Sequence, residues 1–297
     1  MSLGPAPVEL TPEEHKLLSE ALSAYAGLMF RDDMKYLLER RLLPRLQALE
    51  LADFGAYCRY LRHHPGGRAE LATAAELLLT HETYFYREPE QLRAFSHEVL
   101  PLLMADKRAS RRLRIWSAGC ATGEEPYTLA MLLIDSGLAG SGSGLAGGGA
   151  GLGEDWDATV YGSDLSRRVL AQARRGIYGA NAMRATPADA LARHFEVLGP
   201  GQFQVRDVVK KRVSFGQVNL LDAQNLAMVG RMDAIFCRNV MIYFDLPARR
   251  QLLRHFYEKL HEGGYLFLGH AENLINATAD FELVHLQGDL VYRRPRS

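Results

Sequence analysis

The chain has 297 residues, 47% hydrophobic and 24% charged, a composition that excludes a disordered or fibrous protein and leaves room for one large core or one large and one small. Its 35 Lys and Arg balance 35 Asp and Glu, so no global field draws nucleic acid or an anionic membrane surface. Three cysteines without CxxC spacing argue against a disulfide framework and a metal site, and no signal pattern or membrane span is written, so a cytoplasmic protein without membrane insertion is expected.

The first helix is announced by Thr11-Pro12-Glu13-Glu14, which offers an N-cap hydroxyl, a proline at the first helical position and a glutamate to close a capping box. Leu17, Leu18, Ala21, Leu22 and Tyr25 follow at helical spacing. A second amphipathic stretch carries Leu37, Leu38, Leu42, Leu46 and Leu49 beside Arg40, Arg41 and Arg45, and Pro44 is expected to kink or split it. Helical pattern continues over 53–62 and 68–79, so residues 1–90 read as a helical domain.

From Arg114 the pattern changes to short apolar runs alternating with helical stretches. Strands are predicted at Arg114–Ala118, Thr159–Ser163, Val213–Val218, Asp233–Cys237 and Tyr265–Gly269, then a hairpin at Phe281–Leu286 and Leu290–Arg293. This alternation over 91–297 predicts a doubly wound α/β domain, a Rossmann-like parallel sheet with an antiparallel edge. Residues 137–153 are nearly all Gly, Ala, Ser and Leu and read as a surface insertion; a second interruption, about 176–212, is expected to hold a small antiparallel β subdomain, near 196–212.

In such sheets ligands sit at the carboxyl ends of the strands. The first strand is followed by Gly119-Cys120-Ala121-Thr122-Gly123-Glu124-Glu125, where small residues let a ligand approach the backbone. A tight turn in any α/β protein can look alike. The two acids, however, would repel a pyrophosphate and suit a cation such as a sulfonium with an ammonium group. Asp164 ends the second strand, where a carboxylate takes ribose hydroxyls or caps the next helix. The glycine turn and Asp164 as a pair suit S-adenosylmethionine as well as NAD. Leu220 could pack on an adenine and Tyr243 lie by a reacting methyl, or both could be core residues. The segment Thr80–Glu88 crowds polar and aromatic side chains just before the α/β domain.

Together the strings THETYFYRE, WSAGCATGEEPYTLA, SDLS, VNLL, AIFCRNVMIYF and LFLGHAEN, with RRLLPRLQALELADFGAY in the helical part, resemble the chemotaxis receptor glutamate methyltransferases of the CheR family over about residues 10–293. The resemblance implies a class I S-adenosylmethionine-dependent methyltransferase domain behind a small all-α domain. It implies transfer of a methyl group to glutamate carboxylates of methyl-accepting chemotaxis receptors, leaving S-adenosylhomocysteine. His81, Thr83 and Arg87 become cofactor contacts, as do Gly119, Glu125, Asp164, Asn219, Leu220, Arg238 and Asn239, with Glu124 beside them. His81 stands where the family pattern has asparagine. Arg87 and Tyr243 become the catalytic pair, and Arg41 and Arg45 the candidates for docking on the receptor's acidic helical bundle. The segment near 196–206 is shorter than in relatives that grip a receptor pentapeptide, which argues against such a tether. A monomer is expected. The alternatives from other classes are a non-catalytic S-adenosylmethionine-binding module and a methyltransferase of the same fold for another acceptor.

Overall fold

The computed structural model describes residues 8–138 and 156–296; the glycine-rich insertion, from residue 139 on, lies outside them. The chain forms two compact units, one up to Thr80 joined by Ile242–Gln251, the other His81–Met241 with the chain from Leu252 on. The division thus falls before the expected boundary at residue 90, and a short late segment returns to the first unit.

The helical unit contains α1 (Pro12–Ala26), α2 (Lys35–Ala48), α3 (Phe54–His63) and α4 (Gly67–Leu78). The capping box is formed: the Thr11 hydroxyl accepts from Glu14 N–H at 3.2 Å and Glu14 Oε2 from Thr11 N–H at 2.8 Å. Leu18 and Leu22 of α1, Leu38, Leu42 and Leu46 of α2, and Phe54 and Tyr57 of α3 are buried, each large apolar side chain contributing about 1.5–3 kcal/mol. The returning segment is fixed here as well. Tyr243 carbonyl accepts from Met29 N–H at 2.8 Å, Phe244 bridges to Leu28, and Asp245 accepts from the Ser23 hydroxyl at 2.8 Å.

Pro44 does not split α2, which runs through it to Ala48. An internal proline costs about 3 kcal/mol, and the helix is held against that cost by its leucine stripe and by two arginines. Arg41 Nη1 donates to the carbonyls of Leu77 and Leu79 at the end of α4, at 2.7 and 3.3 Å. Arg45 grips Glu70 with two hydrogen bonds of 2.8 and 2.7 Å, and the Tyr57 hydroxyl adds a third at 2.8 Å. The Glu70 side chain is 6% exposed. Burial, reinforced by Glu70, pushes the Tyr57 phenol well above its ordinary value, and the Glu70 hydrogen bond raises Arg45. The expected docking pair is therefore engaged inside the helical unit rather than presented as two solvent-facing cations.

The second unit opens with α5 (Pro89–Ala94), continued through a π-helical turn, Phe95–Val99, into α6 (Leu100–Asp106). There follow β1 (Arg112–Ala118), α7 (Glu124–Leu133), β2 (Asp157–Asp164), α8 (Arg167–Arg175) and β3 (Ile177–Gly179). Next come α9 (Ala188–His194), β4 (Phe195–Gly199), β5 (Gln202–Val205), α10 (Asp207–Lys210), β6 (Val213–Gln217), α11 (Ala223–Ala227) and β7 (Met232–Cys237). α12 (Leu246–Lys259) begins in the returning segment of the first unit and belongs to the second from Leu252 on; last are β8 (Leu260–Leu268), β9 (Glu282–His285) and β10 (Leu290–Arg293).

The main sheet has the order β6-β2-β1-β7-β8-β10-β9, parallel except for the closing hairpin. Strand order reverses between β1 and β7, so the ligand crevice of this doubly wound sheet lies at their carboxyl ends. Phe236 and Phe267 stack at 4.3 Å and Phe95 meets both edge-on, which packs the π-helical turn onto β7 and β8. A second sheet, β3-β5-β4, is antiparallel. It begins at Ile177, inside the segment 176–212 and upstream of residue 196, and Tyr178 anchors β3 under the larger core.

Candidate active site

The turn after β1 explains its small residues. Gly119 has φ 80°, and a Cβ there would come within 2.4 Å of Val240 Cγ2, so glycine lets the turns after β1 and β7 close on each other. Gly123, at φ 97°, precedes α7, and a Cβ on it would reach 2.8 Å from Ala173 Cβ. Ala121 between them is left-handed at φ 47°. Its N–H donates to Asp164 Oδ2 at 2.9 Å, and Ser166 N–H donates to Oδ1 at 2.9 Å. Asp164 thereby fastens the β1 turn to the β2 turn. The cap of α8 is Ser166, whose hydroxyl accepts from Val169 N–H, so Asp164 is not the helix cap. His81 Nε2 stands 3.9 Å from Asp164 Oδ1, and Thr83 is half-buried two residues on.

The two acids that open α7 differ in environment. Glu125 accepts from the Ser117 hydroxyl at 2.7 Å and from Arg238 Nε at 2.6 Å. Glu124 is buried, which pushes its carboxyl up to about 7 against the Thr122 hydroxyl, 2.9 and 2.7 Å from its two oxygens. Cys120 is buried in the same turn, and burial raises its thiol, with Asp164 and Glu125 adding to the rise, so it is no nucleophile.

Arg238 ties three segments together. Besides Glu125, it donates from Nη1 to Arg87 carbonyl at 3.0 Å, Gln91 Oε1 at 3.3 Å and Glu88 Oε2 at 3.4 Å, and its side chain is only 3% exposed. Expected among the cofactor contacts, it is committed through Nε and Nη1 to protein acceptors and works as a brace. Arg87 itself sits between two left-handed residues, Tyr86 at φ 58° and Glu88 at φ 57°. Such backbone persists only where its surroundings hold it, and here Thr128 and Arg238 do so: Tyr86 N–H donates to the Thr128 hydroxyl at 3.3 Å.

Glu88 and Glu125 share the single buried cation of Arg238, with the half-exposed His270 imidazole 3.7 Å from Glu88. Asp164 adds a third carboxylate, so the floor of the site is negative and suits a cationic ligand.

The remaining strand ends carry the predicted amides. Asn219 Oδ1 accepts from Leu221 N–H at 3.1 Å, an Asx turn that sets the exit from β6, and Leu220 beside it is buried. Asn239, after β7, is left-handed at φ 60°. Glu272 Oε2 accepts from the N–H groups of Asn239 and Gly269, at 2.7 and 2.8 Å, and pins this turn. Asn239 Oδ1 is buried and has no hydrogen-bond partner among the described residues. Tyr243, Arg41 and Arg45 belong to the helical unit.

The family model for the CheR methyltransferase all-alpha domain matches residues 13–79, and that for the CheR methyltransferase SAM binding domain matches residues 81–289. The chain belongs to the CheR methyltransferase family. It is 33% identical to chemotaxis protein methyltransferase 2 of Vibrio cholerae, over 91% of this chain and 88% of that one. It is 35% identical to the chemotaxis protein methyltransferase of Salmonella typhimurium, over 95% and 90%. This CheR-family protein is an S-adenosylmethionine-dependent methyltransferase of chemotaxis, and its residues fit that cofactor. The negative floor matches a sulfonium and an ammonium, the glycine turn leaves the backbone accessible, and Asn239 Oδ1 offers a buried acceptor.

Sequence reasoning assigned no role to Glu88, Gln91 or Glu272, which hold the predicted residues in place. The signal was available for Glu272 alone, an acid just beyond the end of a strand in the LFLGHAEN string. Glu88 and Gln91 act on Arg238 across 150 and 147 residues, a distance no local pattern spans.

Proposed function

We propose that the protein methylates glutamate side chains on methyl-accepting chemotaxis receptors, forming carboxylate methyl esters. The observation that carries this reading is the gathering of the carboxylates of Glu88, Glu125 and Asp164, with Arg238 holding the backbone carbonyl of the neighbouring cation Arg87. Glu125 would hold the cofactor's ammonium, Asp164 its ribose, Gly119 its close approach, and His81, Thr83, Asn219, Leu220 and Asn239 the remaining contacts. The cofactor, when bound, supplies an electrophilic methyl on a sulfonium. An acceptor glutamate, with an ordinary value near ~4.3, is ionised at neutral pH, so the reaction needs no general base. The carboxylate oxygen forms the new O–C bond as the C–S bond breaks, and the electron pair stays on sulfur. Arg87 draws the acceptor carboxylate. Correct positioning of this kind can supply up to ~7–11 kcal/mol.

Docking on the receptor's acidic helices falls to the helical unit. Because Arg41 and Arg45 are engaged within it, Arg40 is the exposed one of the three α2 arginines. The protein works in the cytoplasm as a monomer.

The test is transfer of labelled methyl from S-adenosylmethionine to the purified cytoplasmic fragment of a methyl-accepting receptor. The expected label is released as methanol by mild alkali, as a carboxylate ester requires. Label that survives alkali, or that reaches only small-molecule acceptors, would refute a glutamate ester product.

A further inference from the structure

One cation of the second unit has no part in the negative floor. Arg184 follows the 3-10 turn Ala180–Met183, and its guanidinium lies 3.7 Å from the centre of the Tyr84 ring. Arg87 lies 5.8 Å from the centre of the same ring. Glu82 touches both: its carboxylate pairs with Arg184 Nη2 at 3.1 Å, and its backbone carbonyl accepts from Arg87 Nη1 at 3.0 Å.

The two segments that carry these arginines are joined. Phe85 N–H donates to Ala182 carbonyl at 3.0 Å, and Arg184 Nη1 donates to the carbonyl and side-chain oxygens of Asn181 at 3.0 and 3.3 Å. The Arg184 charge also opposes the rise of the buried Glu124 carboxyl, which puts it within electrostatic reach of the glycine turn. Stacking on Tyr84 orients the planar guanidinium in advance and lowers the entropy lost on binding.

The charge count fixes the ligand. Two guanidinium groups stand at the Tyr84 ring with one carboxylate, Glu82, which is 72% exposed and pairs with Arg184, while Arg87 meets only its backbone carbonyl. An ion pair that exposed is weak and readily exchanged, so the Tyr84 cluster keeps an unbalanced positive charge while the floor keeps an unbalanced negative one. The floor suits the cationic cofactor; the Tyr84 cluster suits an anion.

We infer that Arg184 is a specificity residue of the methyl transfer, which pairs with a second carboxylate on the acceptor, next to the one that Arg87 faces. The acceptor is thus an acidic protein segment with neighbouring carboxylates rather than an isolated one. This rests on the glutamate-methylation reading above.

The experiment uses the full chain and the cytoplasmic receptor fragment, with kcat and KM for the fragment, S-adenosylhomocysteine affinity by calorimetry, and the melting temperature. Arg184→Ala should raise KM for the fragment about 5- to 20-fold, the effect of losing one charge-assisted hydrogen bond, with S-adenosylhomocysteine affinity and melting temperature unmoved. Arg184→Lys should recover part of the loss. A fragment whose acids flanking the target are changed to glutamine should raise KM for the wild type by a similar factor, and Arg184→Ala should then add little. An unchanged KM in Arg184→Ala, an equal loss of S-adenosylhomocysteine affinity, or additive losses with the neutralised fragment would overturn the inference alone. A wild-type chain that methylates no fragment would instead overturn the functional reading and this inference with it.

Discussion

Glu124 shows how a single position couples burial to pH. Its carboxyl is lifted to about 7 chiefly by burial, with the Thr122 hydroxyl and the Arg184 charge opposing the rise. In the unfolded chain a glutamate titrates near ~4.3. Between that value and about 7 the unfolded chain has lost the proton and the folded chain keeps it, so the folded state binds more protons and stability falls as pH rises. Below the window both states are protonated and above it both are ionised, so the slope vanishes on either side. Glu124→Gln should remove this slope, leaving the variant more stable than wild type at pH 8, relative to pH 4, by up to about 3 kcal/mol. Urea denaturation at the two pH values checks it, and an unchanged slope would mean that Glu124 is ionised in the native protein. Asp164 and Arg238, both expected at the cofactor, each hold a turn that other contacts depend on.

Among the elements, α2 diverged most from its sequence. Its proline suggested a break and its arginines a docking face, yet the helix is continuous and Arg45, itself 26% exposed, pairs with the buried Glu70. Losing one partner of such a pair strands a charge in a poorly solvated place. Arg45→Glu should therefore destabilise the protein by about 3 kcal/mol or more, seen as a lowered urea midpoint. Arg40→Glu, at an exposed position, should leave the midpoint within the scatter of surface changes and raise KM for the receptor fragment. The reverse pattern would return the docking role to Arg45. The strands were legible as apolar runs of the right length, some closed by glycine or acid, as β1 before Gly119, β2 at Asp164 and β8 before Gly269. Within the small sheet β3 was given no span of its own, because it is three residues long and its pairing with β5 spans more than twenty positions.

For the molecule as a whole, the chain crosses from the second unit back to the first at Ile242 and leaves it again after Gln251. A chain beginning at His81 would then strip Phe244, 6% exposed and bridged to Leu28, of its cover. The truncated chain is expected to associate during size-exclusion chromatography, and Phe244→Ser in that background to reduce the association. A monomeric truncated chain would show that the returning segment finds other cover. By itself the amino-acid sequence determined the helical first part, the alternation of strands and helices, the glycine turn with its acids and Asp164. These depend on periodicity, capping and turn chemistry within a few residues. The tertiary structure alone decided that β1 and β7 are neighbours, that Arg238 reaches Glu125 across 113 residues and Arg87 across 151, and that Arg184 shares a ring with Arg87. Which distant charges meet is settled only when the sheet closes and water leaves, because only then does an unpaired carboxylate or guanidinium become costly enough to select its partner.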